Sequence, residues 1–183
     1  MERRGLGTKL RNGPGAPRQS WTGPIPVFDP STLERIFELR EAVWRNEPDL
    51  VDAHRLEASM LRDDHDAHGL HWIIKTEGSI VAAARICIHH DDRELPFQNG
   101  FHHLVADLPG PIGSLNRLVV HPSMRRQGLS RVLTDVRVEA ARSRGARSII
   151  VEAVPNRIRP LQDLGFVALG YSAGQPGSFL PGS

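Results

Sequence analysis

Residues 115–145 constrain the fold most strongly, because they join an apolar strand, a basic glycine loop and an amphipathic helix in that order. Apolar residues at 118–120 end at a His-Pro pair and predict a β-strand. A basic loop that contains Gly128 follows, and apolar residues at helical spacing then predict a helix that ends near Gly145. These apolar helix residues are Leu129, Val132, Leu133, Val136 and Ala140. A strand, loop and helix in this order are typical of sites that hold phosphate.

The loop has the features that an anion-binding site needs. The first N–H groups of a helix lack backbone acceptors, and the helix N-terminus carries a partial positive charge. Gly128 lets the backbone approach a ligand, and Arg125, Arg126 and Arg131 add guanidinium groups that match phosphate oxygens. A surface turn of solvated arginines before an ordinary helix is the alternative. The flanking strand and helix favour phosphate binding over that alternative.

The same residues resemble the GNAT superfamily of acyl-CoA N-acyltransferases. The signature loop of that family reads Gln/Arg-x-x-Gly-x-Gly/Ala between its fourth strand and a long helix. Arg125, Gly128 and Ser130 fit the signature except at its last position, where serine is a small departure. The similarity covers roughly residues 29–171 and includes the Leu-Gly-Phe sequence at 164–166, which closes the family's next helix.

The resemblance implies an α/β (α+β) fold, in which about four helices flank a central, mostly antiparallel mixed sheet. The sheet would be splayed between strand four, at residues 115–120, and strand five, at residues 147–153. Free backbone groups in the splay would bind the pantetheine arm and polarise the thioester carbonyl. We expect a shortened C-terminal hairpin, because residues 172–183 are rich in proline and glycine. The last strand is then very short, missing or supplied by a second copy, which would make the protein a homodimer.

The resemblance also implies acetyl-CoA, or another acyl-CoA, as the acyl donor, and it requires no metal. The residues expected to bind this cofactor lie on strand four, in the loop, at the start of the following helix and after strand five. They are Leu118, Val119, Val120, Arg125, Arg126, Gln127, Gly128, Leu129, Ser130, Arg131 and Asn156.

The family's usual acid and base are absent. Members commonly place a glutamate base at positions that correspond to Ser114 or Asn116, and a tyrosine acid at the position of Leu161. Neither serine nor asparagine can act as that base, and leucine cannot donate a proton.

Other side chains are therefore considered for proton transfer. Tyr171, the only tyrosine, is the predicted acid that protonates the CoA thiolate. His121 and Glu152 are predicted bases, with His102 and His103 as alternatives, acting directly or through water.

These features predict an N-acyltransferase that transfers acetyl from acetyl-CoA to a primary amine by direct attack, without a covalent enzyme intermediate. The acceptor would be a small molecule or an amino-acid-like compound. A second hypothesis is an N-acyl amino acid or acyl-homoserine lactone synthase that takes longer acyl chains from acyl-carrier protein. The segments at 116–120 and 40–44 and the short C-terminus are also similar to such enzymes. A third hypothesis is a non-catalytic CoA-binding sensor.

Length and composition are typical of one globular domain. The chain has 183 residues, of which 39% are hydrophobic and 24% charged. We place a disordered, basic tail at residues 1–27, where glycine and proline recur, and the acyltransferase domain at residues 28–183. The tail's scattered cations and one aromatic residue make a poor surface for nucleic acid, so none is expected as a partner.

The expected location is the cytoplasm, without membrane association. No apolar run approaches the ~20 residues that a membrane span needs, and no signal-peptide core is present. The single cysteine, Cys87, excludes an internal disulfide.

Several further elements follow from local patterns. A capping box of Ser31 and Glu34 predicts the start of a first helix that Pro48 ends, and a second helix is expected over residues 52–62. Residues 72–88 predict a β-hairpin with a turn at 77–79. Its second strand places Arg85 where it would reach a polar pocket or lie at a sheet edge.

Two polar segments complete the pattern. Histidines 65, 68 and 71 lie beside three aspartates, but a polar loop is favoured over a metal site because Gly69 breaks the helical spacing. The irregular stretch at 89–113, together with the first two helices, is the expected region of acceptor recognition.

Overall fold

A computed structural model of the protein describes residues 20–46, 61–95 and 103–170. Within these ranges the chain forms five strands and three α-helices. In chain order they are β1 (Thr22–Val27), α1 (Pro30–Trp44), β2 (Leu70–Thr76), β3 (Ser79–His89), β4 (Ile112–Val120), α2 (Leu129–Ser143), β5 (Ser148–Val151) and α3 (Pro155–Gln162). The strands form one sheet in the order β1-β2-β3-β4-β5. Only β4 and β5 run parallel, so the predicted mixed, mostly antiparallel sheet is confirmed.

The predicted boundary at residue 28 is corrected by β1, which occupies residues 22–27 and pairs with β2. Gly23, Pro24 and Pro26 made this segment look like a loop, but prolines are tolerated in an edge strand because its outer N–H groups need no ladder partner. Residues 1–19 lie outside the described residues.

The N-cap of helix α1 lies two residues before its predicted cap. Asp29, not Ser31, is the N-cap, and its carboxylate accepts hydrogen bonds from the Thr32 N–H and the Ser31 hydroxyl, both at 2.7 Å. Pro30 favours this start, because its fixed φ suits the first helical position and it has no N–H to satisfy. The expected helix at 52–62 lies outside the described residues except for its last two positions.

The predicted hairpin is confirmed as β2 and β3, which pair antiparallel around a turn at 77 and 78. Strand β3 is central, so both of its faces are buried. One face packs against α1 through Ile36, Leu39, Val43, Ile73, Ala83 and Val119. The other face packs against α2 through Ala82, Ala84, Ile86, Leu115, Leu129 and Leu133.

The predicted splay between strands four and five is present. Strand β5 pairs with β4 only from Ile112, opposite Ser148, to Leu115, opposite Val151. Strand β4 continues to Val120, and within the described ranges only β3 pairs with this second half. The predicted C-terminal hairpin beyond residue 170 lies outside the described residues.

No helix in the described part of the chain combines the length and the apolar character that crossing a membrane requires.

Candidate active site

Beyond Leu115 the pairing of β4 with β5 ends, and the free edge of β4 borders a gap in the sheet. This gap leads to the basic loop that precedes α2. The segment that leads into the loop is anchored: the His121 N–H donates to the Val81 carbonyl at 2.8 Å, and the Met124 side chain is buried. Between these anchors and α2, Arg126 and Gly128 adopt left-handed backbone angles, with φ of 60° and 84°. Strand, loop and helix therefore follow one another as predicted.

Helix α2 starts at Gly128 without a side-chain cap. No acceptor among the described residues binds the N–H groups of Leu129 and Ser130. A Cβ built on Gly128 would meet nothing within 4 Å, so glycine is favoured there by the positive φ and not by close packing. The helix N-terminus therefore faces open space with hydrogen-bond donors and a favourable dipole, which is an arrangement suited to an anion.

The three loop arginines are exposed, but they have different surroundings. Arg125 Nε lies 3.5 Å from the Val120 carbonyl. Arg131 Nε donates to the Asp135 carboxylate at 3.2 Å, one helical turn along α2. Gln127 is partly buried, and its amide nitrogen contacts the Met124 sulfur at 3.6 Å. Arg125 and Arg126 are thus the loop cations that lie directly before the open helix start.

The predicted cofactor residues on β4 lie along one side of the gap, and their side chains pack to both faces of the sheet. Val119 packs toward α1, whereas Leu118 and Val120 pack toward α2. The backbone groups of these residues on the edge away from β3 lie beyond the end of the pairing with β5, so no strand among the described residues pairs with them. Asn156 is exposed in the first turn of α3, directly after β5. The structure thus brings the loop, the free strand edge and the start of α3 around one opening.

A buried ionic network lies on the α1 face of the sheet beside this opening. Arg85, fully buried, donates to the Asp63 carboxylate at 2.5 and 3.0 Å and to the Asn116 amide oxygen at 2.7 Å. Arg40, also fully buried, forms two 3.0 Å hydrogen bonds with Asp66. Of the two alternatives for Arg85, the structure shows the polar pocket, because β3 is central in the sheet and not at its edge. The sequence did not identify the aspartates of this pocket, because they lie on a separate loop.

The network keeps both aspartates ionised. Burial alone raises the pKa of the Asp63 carboxyl, but the hydrogen bonds and charges of Arg85 and Arg117 outweigh it and hold the pKa well below its usual range. The pKa of Asp66 is likewise lowered, because Arg40 and Arg85 outweigh the effect of burial. Arg117 lies at a bulge in β4, with φ of 52°, and its guanidinium pairs with Asp63 at 2.5 Å.

Ser114 and Asn116, which occupy the positions of the family's usual base, face the same network. The Ser114 hydroxyl lies 2.8 Å from His89 Nε2 and accepts a hydrogen bond from the Asn116 amide at 3.2 Å. Burial, the neighbouring His65 and Arg85 lower the pKa of His89, which favours its neutral form. Cross-strand register brings these residues together, so spacing along the sequence could not reveal the contact.

The two predicted bases within the described residues lie at opposite ends of the gap. Glu152 directly follows β5, where the pairing with β4 stops, and its side chain reaches solvent. Desolvation raises the pKa of its carboxyl, and the Arg117 guanidinium opposes the rise. His121 lies six residues beyond Leu115 on β4, about 20 Å away at ~3.3 Å per residue. Its Nδ1 contacts the Ser123 hydroxyl at 2.8 Å in an exposed turn.

The remaining candidate residues divide between the described part of the chain and the rest. Tyr171 and His102 lie outside the described residues, so their roles stay predictions. His103 is exposed in a helical turn, and Leu161 is buried in α3. Among the three clustered histidines, His71 Nε2 lies 3.1 Å from the Asp66 carbonyl, while the His65 ring packs edge-on against His89.

Comparison with known proteins agrees with this geometry. The model of the acetyltransferase (GNAT) family matches residues 33–166, which is most of the chain. The chain therefore belongs to the acetyltransferase (GNAT) family. No curated protein sequence matches it significantly.

Three solved structures illustrate the shared fold. A GCN5-related N-acetyltransferase from Ralstonia eutropha JMP134 is 19% identical, with a TM-score of 0.58, over 79% of this chain and 91% of that chain. A glucosamine-6-phosphate N-acetyltransferase from Arabidopsis thaliana is 13% identical, with a TM-score of 0.53, over 81% and 92% of the two chains. A predicted acetyltransferase with acetyl-CoA from Clostridium acetobutylicum is 16% identical, with a TM-score of 0.50, over 81% and 90% of the two chains. At these identities the likeness shows the fold alone.

Proposed function

We propose that the protein is an acyl-CoA-dependent N-acyltransferase that transfers acetyl from acetyl-CoA to the primary amine of a small or amino-acid-like acceptor. One observation carries the proposal: the gap in the sheet beyond Leu115 opens toward the uncapped, arginine-flanked start of α2. A long ligand with an anionic end fits this combination of a strand edge and a helix N-terminus. The Clostridium acetobutylicum relative with acetyl-CoA supports the choice of cofactor.

The cofactor would lie along the free edge of β4. Its pyrophosphate would accept hydrogen bonds from the N–H groups at the start of α2 and would gain charge-assisted contacts from Arg125 and Arg126. The pantetheine arm would bond to the backbone at 118–120. The thioester then reaches the closed end of the gap, near Leu115 and Asn116.

The reaction at that end proceeds by direct attack and forms no covalent intermediate with the enzyme. The neutral amine attacks the thioester carbonyl carbon, an N–C bond forms, and the C–S bond breaks to release CoA and the amide. A β4 backbone N–H would stabilise the developing oxyanion, and holding both substrates together would lower the entropic part of the barrier. Glu152 is the proposed base, because it lies at the end of β5 and its raised pKa brings its basicity closer to neutral pH.

The acceptor would enter from the face of the sheet that carries α1. On this face lie Arg117 and Trp44, whose ring centroid is 5.9 Å from the guanidinium carbon, and the network of Asp63 and Asp66. Ile150 packs beside Leu95 and Ile112 on this face. Glu152 follows Ile150 by two residues, and residues two apart in an extended chain lie on the same face, so Glu152 would share it. The amine proton is released on the acceptor side, so a base on this face is well placed to accept it.

The proposal is tested by incubating the purified protein with acetyl-CoA and a panel of primary amines and following thiol release and amide formation. Stoichiometric formation of an N-acetyl amine and free CoA supports it. Turnover only with longer acyl chains on acyl-carrier protein would show a synthase instead. CoA binding without transfer to any amine in the panel would favour a sensor and overturn the proposal.

A further inference from the structure

A bulge interrupts β4 at the point where the gap in the sheet begins. Arg85 on β3 lies opposite Asn116 on β4, whereas Ala83, two residues earlier on β3, lies opposite Val119, three residues later on β4. One extra residue on β4 therefore falls between Asn116 and Val119, where Arg117 has its positive φ of 52°. Asn116 is also the first β4 residue past the last pair with β5. The bulge thus coincides with the closed end of the gap.

Arg137, on α2, contacts the bulge from the face of the sheet on which α2 packs. Arg137 is only 2% exposed. Its Nη1 donates to the Arg85 carbonyl at 3.1 Å and to the Asn116 carbonyl at 3.3 Å. Because these two residues face each other across β3 and β4, one nitrogen joins the two strands at the edge of the bulge.

The other two nitrogens of the guanidinium are held by α2 itself. The Nε donates to the Leu133 carbonyl at 2.9 Å, and Nη2 donates to the Thr134 hydroxyl at 3.4 Å. The Thr134 hydroxyl in turn donates to the Ser130 carbonyl at 2.8 Å. The planar, rigid guanidinium therefore fixes the bulge against the helix, which a lysine ammonium on a flexible stem cannot do in the same way.

The acceptors of Arg137 indicate why a charged side chain lies here. All four are neutral oxygens, and no carboxylate in the described part of the chain bonds to Arg137. Burying a charge without a counter-ion is costly, and an apolar side chain would fill the same space without that cost. A bulge, however, disrupts the ladder, and buried backbone carbonyls require donors. Arg137 supplies donors to the carbonyls of both strands.

We propose that Arg137 is a positioning residue for the acyl-CoA site, which holds the bulge in shape and so keeps the β4 edge beyond Asn116 free for the pantetheine arm. Arg137 acts through the backbone of β4 and takes no part in bond making or breaking. This inference rests on the proposed function, in which that edge binds pantetheine.

The position of Arg137 along α2 separates this role from binding of the anionic end of CoA. Arg137 lies eight residues after Leu129, the first residue of α2, which is about 12 Å at ~1.5 Å per residue. The loop that would bind the pyrophosphate is at that distant end of the helix. Loss of Arg137 should therefore affect the pantetheine arm and spare the nucleotide.

Hydrogen exchange on the free protein tests the effect on the bulge. Arg137→Met keeps a side chain of similar length without donors, and the amides of residues 116–119 should exchange about tenfold faster or more, while those of 112–115 change less. Arg142→Met, at an exposed position on the same helix, is the matched control and should change neither set. Parental exchange at 116–119 in Arg137→Met would overturn the inference.

Calorimetry tests the effect on the site by comparing CoA with its nucleotide portion, which ends at the pyrophosphate and lacks the pantetheine arm. The parent should bind CoA about tenfold or more tightly than the nucleotide, and Arg137→Met should lose most of this difference while its affinity for the nucleotide stays within a few-fold. A full CoA preference in Arg137→Met, or an equal loss for both ligands, would contradict the proposed role.

A second variant keeps the test decisive if Arg137→Met does not fold. Arg137→Lys retains the charge but not the planar fork, so it should show the same two effects to a smaller extent. Parental exchange and a parental CoA preference in Arg137→Lys would then overturn the inference. Neither measurement needs turnover, so failure of the acyltransferase proposal would appear separately, as absent amide formation by a parent protein that binds CoA.

Discussion

At the scale of single residues, Glu152 is the side chain on which the proposed chemistry depends most. Its raised pKa means that the carboxyl loses its proton above the ordinary value of 4.5, so base-dependent activity should rise with pH through that higher midpoint. Glu152→Gln should lower kcat by ~10²-fold or more and remove this limb of the pH profile. The control is Glu139→Gln, an exposed carboxylate on α2. A parental rate and pH profile in Glu152→Gln would assign the proton to another acceptor.

Asp66 makes a residue-scale contribution to stability. Asp66→Asn would leave the buried Arg40 guanidinium without its counter-ion and remove a 2.8 Å contact with Arg85. We expect a loss of about 3–5 kcal/mol in the free energy of unfolding, measured by denaturant titration. Asp64→Asn, at an exposed position in the same loop, should cost far less. Equal effects of the two substitutions would contradict the account of the network.

The same network predicts how stability depends on pH. The pKa values of Asp63 and Asp66 are lower in the folded protein than their ordinary value of 3.8, so the stability they contribute is complete above that pH. It should decline as the pH falls from about 3.8 toward the lower folded values. The free energy of unfolding of Asp66→Asn should fall less steeply over this window than that of the parent. Parallel curves would show that Asp66 titrates as it does in the unfolded chain.

Residue patterns predicted some of these contacts and missed others for a physical reason. Alternation along β3 assigned Arg85 to one face of the strand, because alternation is a property of the strand itself, but it left a polar pocket and a sheet edge open as the surroundings of Arg85. Its partner Asp63 could not be identified, since that pairing depends on how a separate loop packs on the sheet. The cap of α1 was misplaced by two residues because Ser31 and Asp29 are both good capping residues, and Pro30 decides between them.

At the scale of elements, strong local periodicity predicted the hairpin of β2 and β3 and the sequence of β4, loop and α2. Strand β1 was missed, because its glycine and prolines resemble a loop and only pairing with β2 reveals the strand. Strand β5 is shorter than the predicted 147–153, which leaves Glu152 beyond its end. The positions of Asn116 and Ser114 beside the network depend on register, which no local pattern specifies.

Strand β1 gives a prediction at this scale. A protein that starts at residue 20 should keep the parental melting temperature, because residues 1–19 lack the apolar pattern of a packed segment. A protein that starts at residue 28 should melt several degrees lower. It loses the pairing with β2, the packing of Trp21 on the core and the hydrogen bond from Thr76 to the Ser20 carbonyl. A large loss in the first truncation would show that the tail packs on the domain.

At the scale of the whole molecule, two features on different elements define the proposed site: the gap between β4 and β5, and the open start of α2. The sequence motif predicted the second, and the resemblance to the GNAT family predicted the first. The proposed position of Glu152 on the α1 face of the sheet emerges only from the three-dimensional arrangement.

The central claim is that this opening binds acyl-CoA through the loop before α2, and calorimetric titration with CoA tests it most directly. The parent should bind CoA, and Gly128→Asp should abolish binding, because the carboxylate would repel the pyrophosphate at the helix start. Gly128→Ala is the matched control: it shares the strain of a side chain at φ of 84° but adds no charge, so it should retain most of the affinity. Undiminished CoA affinity in a folded Gly128→Asp protein would contradict the account.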